Sequence, residues 1–202
     1  MLAFAIGLGA SAQEFAPGIP LPDHGTVWLL DSATDAHNLV QLKYVAAKLN
    51  SHRGANFGRQ MAWPITNKVK QTVEIPGTAA AVRISSASAP VLLVRDIMHD
   101  DDAATPDAGP GWKPAIIHLK AEKGVRLVNT LSFTMITGHP SRETNSIDFS
   151  SESIKGTPWV RIVFTRPLEP GEYAFTWIPD ATNGFASVVY DFGVGPAADE
   201  KK

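Results

Sequence analysis

An all-β, antiparallel β-sandwich of immunoglobulin-like or related Greek-key type is the fold this 202-residue chain predicts. Short alternating apolar runs recur along the chain between Pro- and Gly-rich turns. No long amphipathic stripe at helical spacing interrupts them. Near the end, Leu168-Glu169-Pro170-Gly171-Glu172-Tyr173 has the Leu-x-Pro-Gly-x-Tyr spacing of a corner between two sandwich strands. At such a corner the tyrosine hydroxyl returns to the backbone of the preceding connection. Leu168, Pro170, Gly171 and Tyr173 are thus read as structural residues.

The strands follow in order. Residues 13–25 hold three prolines and two glycines and read as an extended leader. Thr26–Leu30 is an apolar run of strand length. In Asn38–Asn50, Val40, Leu42 and Tyr44 alternate with polar residues, while Leu39, Leu42, Ala46 and Leu49 approximate a helical stripe; β-branched and aromatic residues in its middle favour strand. Val69, Val73 and Ile75 share a strand face that ends at Pro76-Gly77. Ala81–Ile84 and the proline-opened run Pro90–Arg95 come next. Asp96–Pro114 reads as a long acidic, Pro- and Gly-rich loop.

Ala115–Lys120 and Val125–Val128 flank a hairpin turn at Glu122-Lys123-Gly124. Leu131–Ile136 alternates again, and a short run holds Ile147 and Phe149. Val160, Ile162 and Phe164 lie on one strand face, as do Tyr173, Phe175 and Trp177, and then Val188, Tyr190, Phe192 and Val194. The last three strands and their corner follow the closing pattern of an immunoglobulin-like domain, without its paired cysteines.

The length suits one domain, and 44% hydrophobic with 19% charged residues suits a packed core. A net charge of −2 with scattered Lys and Arg argues against a nucleic-acid partner. Met1–Ala12 is an apolar run ending in Ala10-Ser11-Ala12, the small-x-small pattern that signal peptidase accepts, so residues 1–12 read as a signal peptide with Gln13 as the first mature residue. The positive n-region is missing, which a start codon further upstream would explain; the alternative reading of the run is a buried first strand or helix. The run is too short to span a bilayer, and no other segment approaches that length. The chain has no cysteine, so export would add no disulfides. Residues 26–195 form either one sandwich or a small β unit over 26–75 followed by an immunoglobulin-like unit over 76–195; residues 196–202 read as a disordered tail.

From about Val73 onward the arrangement resembles a group of uncharacterised exported bacterial proteins. The matching residues are Pro76-Gly77, Ala81-Val82-Arg83-Ile84, Pro90–Arg95, Leu168–Phe175 and Tyr190-Asp191-Phe192-Gly193-Val194. The resemblance implies an exported bacterial β-domain, periplasmic or secreted, and carries no known activity.

Chemistry is thinly marked. His99-Asp100-Asp101-Asp102 and Asp107 crowd one loop, but adjacent carboxylates point apart where Ca²⁺ needs converging oxygens; Asp100, Asp102 and Asp107 are weak metal candidates. The six histidines show no zinc spacing, and His118 reads as an edge-of-core residue. No Gly-x-Ser-x-Gly elbow, Ser-x-x-Lys pair or phosphate-binding loop occurs. No cofactor is indicated. Of five tryptophans, Trp112 in the long loop and Trp63 before Pro64 could offer sugar-stacking surfaces, while Trp28, Trp159 and Trp177 read as core. The expectation is a non-catalytic exported sandwich acting as an interaction or structural module, its partner another exported protein. A carbohydrate-binding module for a polysaccharide is the alternative, and a hydrolase with dispersed carboxylates ranks third.

Overall fold

The tertiary structure, a computed structural model, describes residues 14–16, 18–31, 38–52, 68–85, 90–96, 111–134, 140–181 and 184–197. Its strands in chain order are β1 (Glu14–Ala16), β2 (Ile19–Pro20), β3 (Val27–Asp31), β4 (Asn38–Gln41), β5 (Tyr44–Ala46), β6 (Lys48–Asn50), β7 (Lys68–Pro76), β8 (Arg83–Ile84), β9 (Val91–Arg95), β10 (Trp112–Glu122), β11 (Val125–Thr134), β12 (Pro140–Glu143), β13 (Ser146–Ile147), β14 (Phe149–Ser153), β15 (Trp159–Phe164), β16 (Gly171–Pro179) and β17 (Val188–Val194). Among the described residues no helix is long and apolar enough to cross a membrane.

Two layers make the expected sandwich. One sheet runs β14-β15-β9-β3-β4; the facing layer contains β17-β16-β10, with β13 beside β10. In immunoglobulin lettering β3, β9, β15 and β14 occupy the A, B, E and D positions, and β10, β16 and β17 the C, F and G positions. Alternation supplies the core: Val27, Leu29, Leu92, Val94 and Ile162 from the first sheet meet Ile116, Tyr173, Phe175, Tyr190 and Phe192 from the second. Each such apolar side chain contributes about 1.5–3 kcal/mol by leaving water.

A third layer was not foreseen. The second sheet continues through the β10–β11 hairpin into β11, β7 and β6, giving the order β5-β17-β16-β10-β11-β7-β6. Its two ends, β5 and β6, are separated in sequence by Ala47 alone, so the sheet curls back on itself like a small barrel. Val73, Ile75, Val128 and Leu131 fill it against Ile117, Leu119, Ala174 and Val189. The central strand β16 is therefore covered on both faces, which is why Glu172 to Trp177 are all buried.

Segment 38–50 is strand, but not one strand. It forms β4 at the edge of the first sheet, then β5 and β6 at the two ends of the curled sheet. The strands of residues 26–76 pair with β9, β17 and β11, so this stretch shares its sheets and cores with the rest of the chain. Residues 13–25, read as a leader, contain the β1–β2 hairpin. Phe15 is 2% exposed and packs with Ile19 over Leu30, Leu93 and Trp159 on the outer face of the first sheet. The Arg161 guanidinium lies 5.0 Å from the centre of the Phe15 ring.

Candidate binding site

Four charged side chains meet where β16, β17, β8 and β11 converge. Arg126 is 2% exposed and Glu172 5%. Arg126 Nη1 lies 2.7 Å from Asp191 and 3.3 Å from Glu172, and Arg83 closes on the other Glu172 oxygen. Spare donors go to backbone: Arg126 Nε to Gly77 O at 3.2 Å, Arg83 Nε to Gly195 O at 2.8 Å. The Ala80 N–H donates to Glu172 at 2.7 Å. A Cβ on Gly193 would overlap the Arg83 guanidinium, so glycine lets that group lie against the β17 backbone. Each charge faces an opposite one, and the cluster fastens the chain ends of four strands. Pro76-Gly77, Arg83, Glu172, Asp191 and Gly193, quoted above as sequence landmarks, are its parts.

The corner at Leu168–Tyr173 carries the chain from the first sheet to the second. The Tyr173 hydroxyl donates to Glu169 O at 2.8 Å, and Leu168 is buried in the sandwich core. Burial and the nearby Glu169 carboxylate raise the Tyr173 pKa. The His118 ring stacks on Tyr173 with centroids 4.8 Å apart. Its Nε2 would lie 2.6 Å from a Cβ at position 171, which explains Gly171. These residues build architecture.

Trp112 differs from expectation. It opens strand β10, opposite Pro179, and is half-buried against the sandwich core rather than carried on a loop tip. The strand begins there because the ladder with β16 extends through Lys113 and Pro114. Trp159 and Trp177 are buried; Trp28 is half-buried with its indole N–H donating to His24 O at 3.0 Å. Trp63, Asp100, Asp102 and Asp107 lie outside the described residues. Among the described residues no group of three or more His, Asp or Glu side chains is placed to hold a metal ion.

The feature that sequence reasoning missed is a polar cleft of about 670 Å³ on the outer face of the third layer. Strand β7 reads Lys-Val-Lys-Gln-Thr-Val-Glu-Ile-Pro, so its alternation turns Val73 and Ile75 inward and leaves Lys70, Thr72 and Glu74 to line the cleft. Its neighbour β11 would lose phase, but a register shift between Leu127 and Asn129 resets it. The bulge brings Thr130 onto the face of Leu127 and sends Leu131 into the core. Asn129 is left inside, 3% exposed and with no partner for its amide.

Across the strands the register places Asn50 opposite Thr72, Thr72 opposite Thr130, and Thr130 opposite Glu143. Four polar side chains thus form one row over β6, β7, β11 and β12. A hydrogen-bonded chain fixes one end of it. His52 Nε2 lies 2.6 Å from Thr72 Oγ1, whose hydroxyl donates to Glu74, and Asn50 Nδ2 donates to the same carboxylate at 3.1 Å. His52 adopts φ +44° and Lys123, in the two-residue hairpin turn, φ +50°. These are the non-glycine residues in the left-handed region among those described, and both line the cleft.

The arrangement differs from a catalytic triad. In a triad the acid orients the far ring nitrogen of the histidine; here Glu74 accepts a hydrogen bond from the threonine hydroxyl instead. The cleft holds polar groups in fixed places, which suits binding. The chain is an all-β, antiparallel sandwich with an added layer that carries a preformed polar cleft. No protein-family model, no curated protein and no solved structure matches it.

Proposed function

We propose that this is an exported, non-catalytic binding protein of the bacterial periplasm or exterior, working as an interaction module through the cleft on its third layer. The carrying observation is the cleft itself: a sandwich would be complete without the third layer, and that layer's outer face is where the polar row, the fixed His52–Thr72–Glu74 chain and two left-handed residues gather. Export draws support from the amino end. Phe15 is already buried, so cleavage after Ala10-Ser11-Ala12 would leave the β1–β2 hairpin whole.

A photo-crosslinking residue at Glu143, in the cleft, tests this in the native host against one at Glu152, on β14 of the opposite sheet. The expected result is an adduct specific to position 143, on protein fractionated from outside the cytoplasm and beginning at Gln13. Adducts of equal yield at both positions, or none at 143, would sink the reading.

A further inference from the structure

Resting on that reading of the cleft, we infer that its ligand is a neutral, extended oligosaccharide lying across strands β6, β7, β11 and β12. The first argument is charge. Glu74, Glu122 and Glu143 face Lys70 and Lys123 around the rim, so neither an anion nor a cation finds a field of one sign. The second is the backbone. Over Thr72–Glu74, β7 is paired on both sides, with β6 and β11, so a peptide laid across the middle of the cleft cannot add to β7 as a strand there. Recognition must come from side chains.

The side chains present suit hydroxyl groups. Asn50 and Thr130 each offer a donor and an acceptor, Thr72, whose proton is held by Glu74, offers only its oxygen, Glu143 offers acceptors, and Val125 and Leu127 supply apolar floor for the C–H face of a sugar ring. Spacing adds the third argument. Neighbouring strands lie about 4.8 Å apart, close to the length of one pyranose unit, so the row Asn50–Thr72–Thr130–Glu143 offers one polar contact per sugar along an extended chain. Trp112 is not part of this site. It opens β10, ten residues from the cleft-lining Glu122 that closes it, a separation of roughly 33 Å along a strand.

Amide NMR titration of the full chain with cellohexaose, xylohexaose and mannohexaose tests the inference. At least one is expected to give saturable shifts confined to β6, β7, β11 and β12. Thr130→Val, isosteric and outside the His52–Thr72–Glu74 chain, should weaken that binding about tenfold, and Glu143→Gln severalfold, each with a dispersed native spectrum. Trp112→Phe should bind like the parent. Absence of saturable shifts up to about 10 mM of every sugar, or shifts centred on Trp112, would overturn the inference. A protein adduct at position 143 in the crosslinking experiment, with no sugar binding, would remove the oligosaccharide and leave the cleft as a binding site.

Discussion

Tyr173 shows how much one side chain can fix. Its ring is buried in the sandwich between His118 and Phe192, and its hydroxyl holds the chain four residues back at Glu169. Tyr173→Phe keeps the packing and loses the bond. Glu169 is exposed, so water can reach the freed carbonyl, and the expected loss is about 1 kcal/mol by urea unfolding at neutral pH. Tyr173 and Tyr190 both have pKa values raised above 10.0 by burial. The unfolded chain therefore releases these protons at lower pH than the folded one. Their stabilisation is full below pH 10 and falls as pH rises above it. Tyr173→Phe should flatten part of that alkaline fall, and an unchanged slope above pH 10 would contradict it. The corner was legible in sequence because its spacing is local. His52 was not: its pairing with Thr72 spans 20 residues and depends on β6 lying beside β7.

At the level of elements, the β10–β11 hairpin explains most of the third layer. Lys123 and Gly124 both have positive φ, +50° and +82°, the signature of a type I′ turn. The Lys-Gly dipeptide announced the turn, yet not that the two strands part after Lys120 to serve different layers. Nothing lies within 4 Å of a Cβ at position 124, so Gly124→Ala tests backbone conformation alone. It should cost about 1 kcal/mol, read as a lower urea midpoint with an unchanged slope. A neutral result would mean the turn is not type I′. Strand identity was readable from alternation because period two survives any context. Where Asn38–Asn50 breaks was not, since the breaks at Leu42 and Ala47 follow from which sheet edge each piece completes. Trp112 reads as a loop residue for a related reason: its neighbours Gly111 and Pro114 look like loop residues, and the partner strand that makes them a ladder lies some 65 residues away, at Trp177–Pro179.

For the whole molecule, the Arg83–Glu172–Arg126–Asp191 cluster joins the sandwich to the curled layer, since Arg126 comes from β11 and Asp191 from β17. Removing one member strands buried charge: Glu172→Leu should destabilise the fold by about 3–5 kcal/mol. The same change should lower the unfolding temperature of both layers together, seen as one coincident transition by near- and far-ultraviolet circular dichroism. Two separate transitions would show that the layers unfold independently.

The sequence by itself determined that this is an all-β chain with an immunoglobulin-like closing corner, because alternation, turn residues and a six-residue motif act over short distances. Tertiary structure alone decided that the F strand is covered twice and that the sheet curls until β5 and β6 meet. It also set Asn50, Thr72, Thr130 and Glu143 in one row. That row depends on register between residues 13 to 58 apart in the chain, which no local pattern encodes.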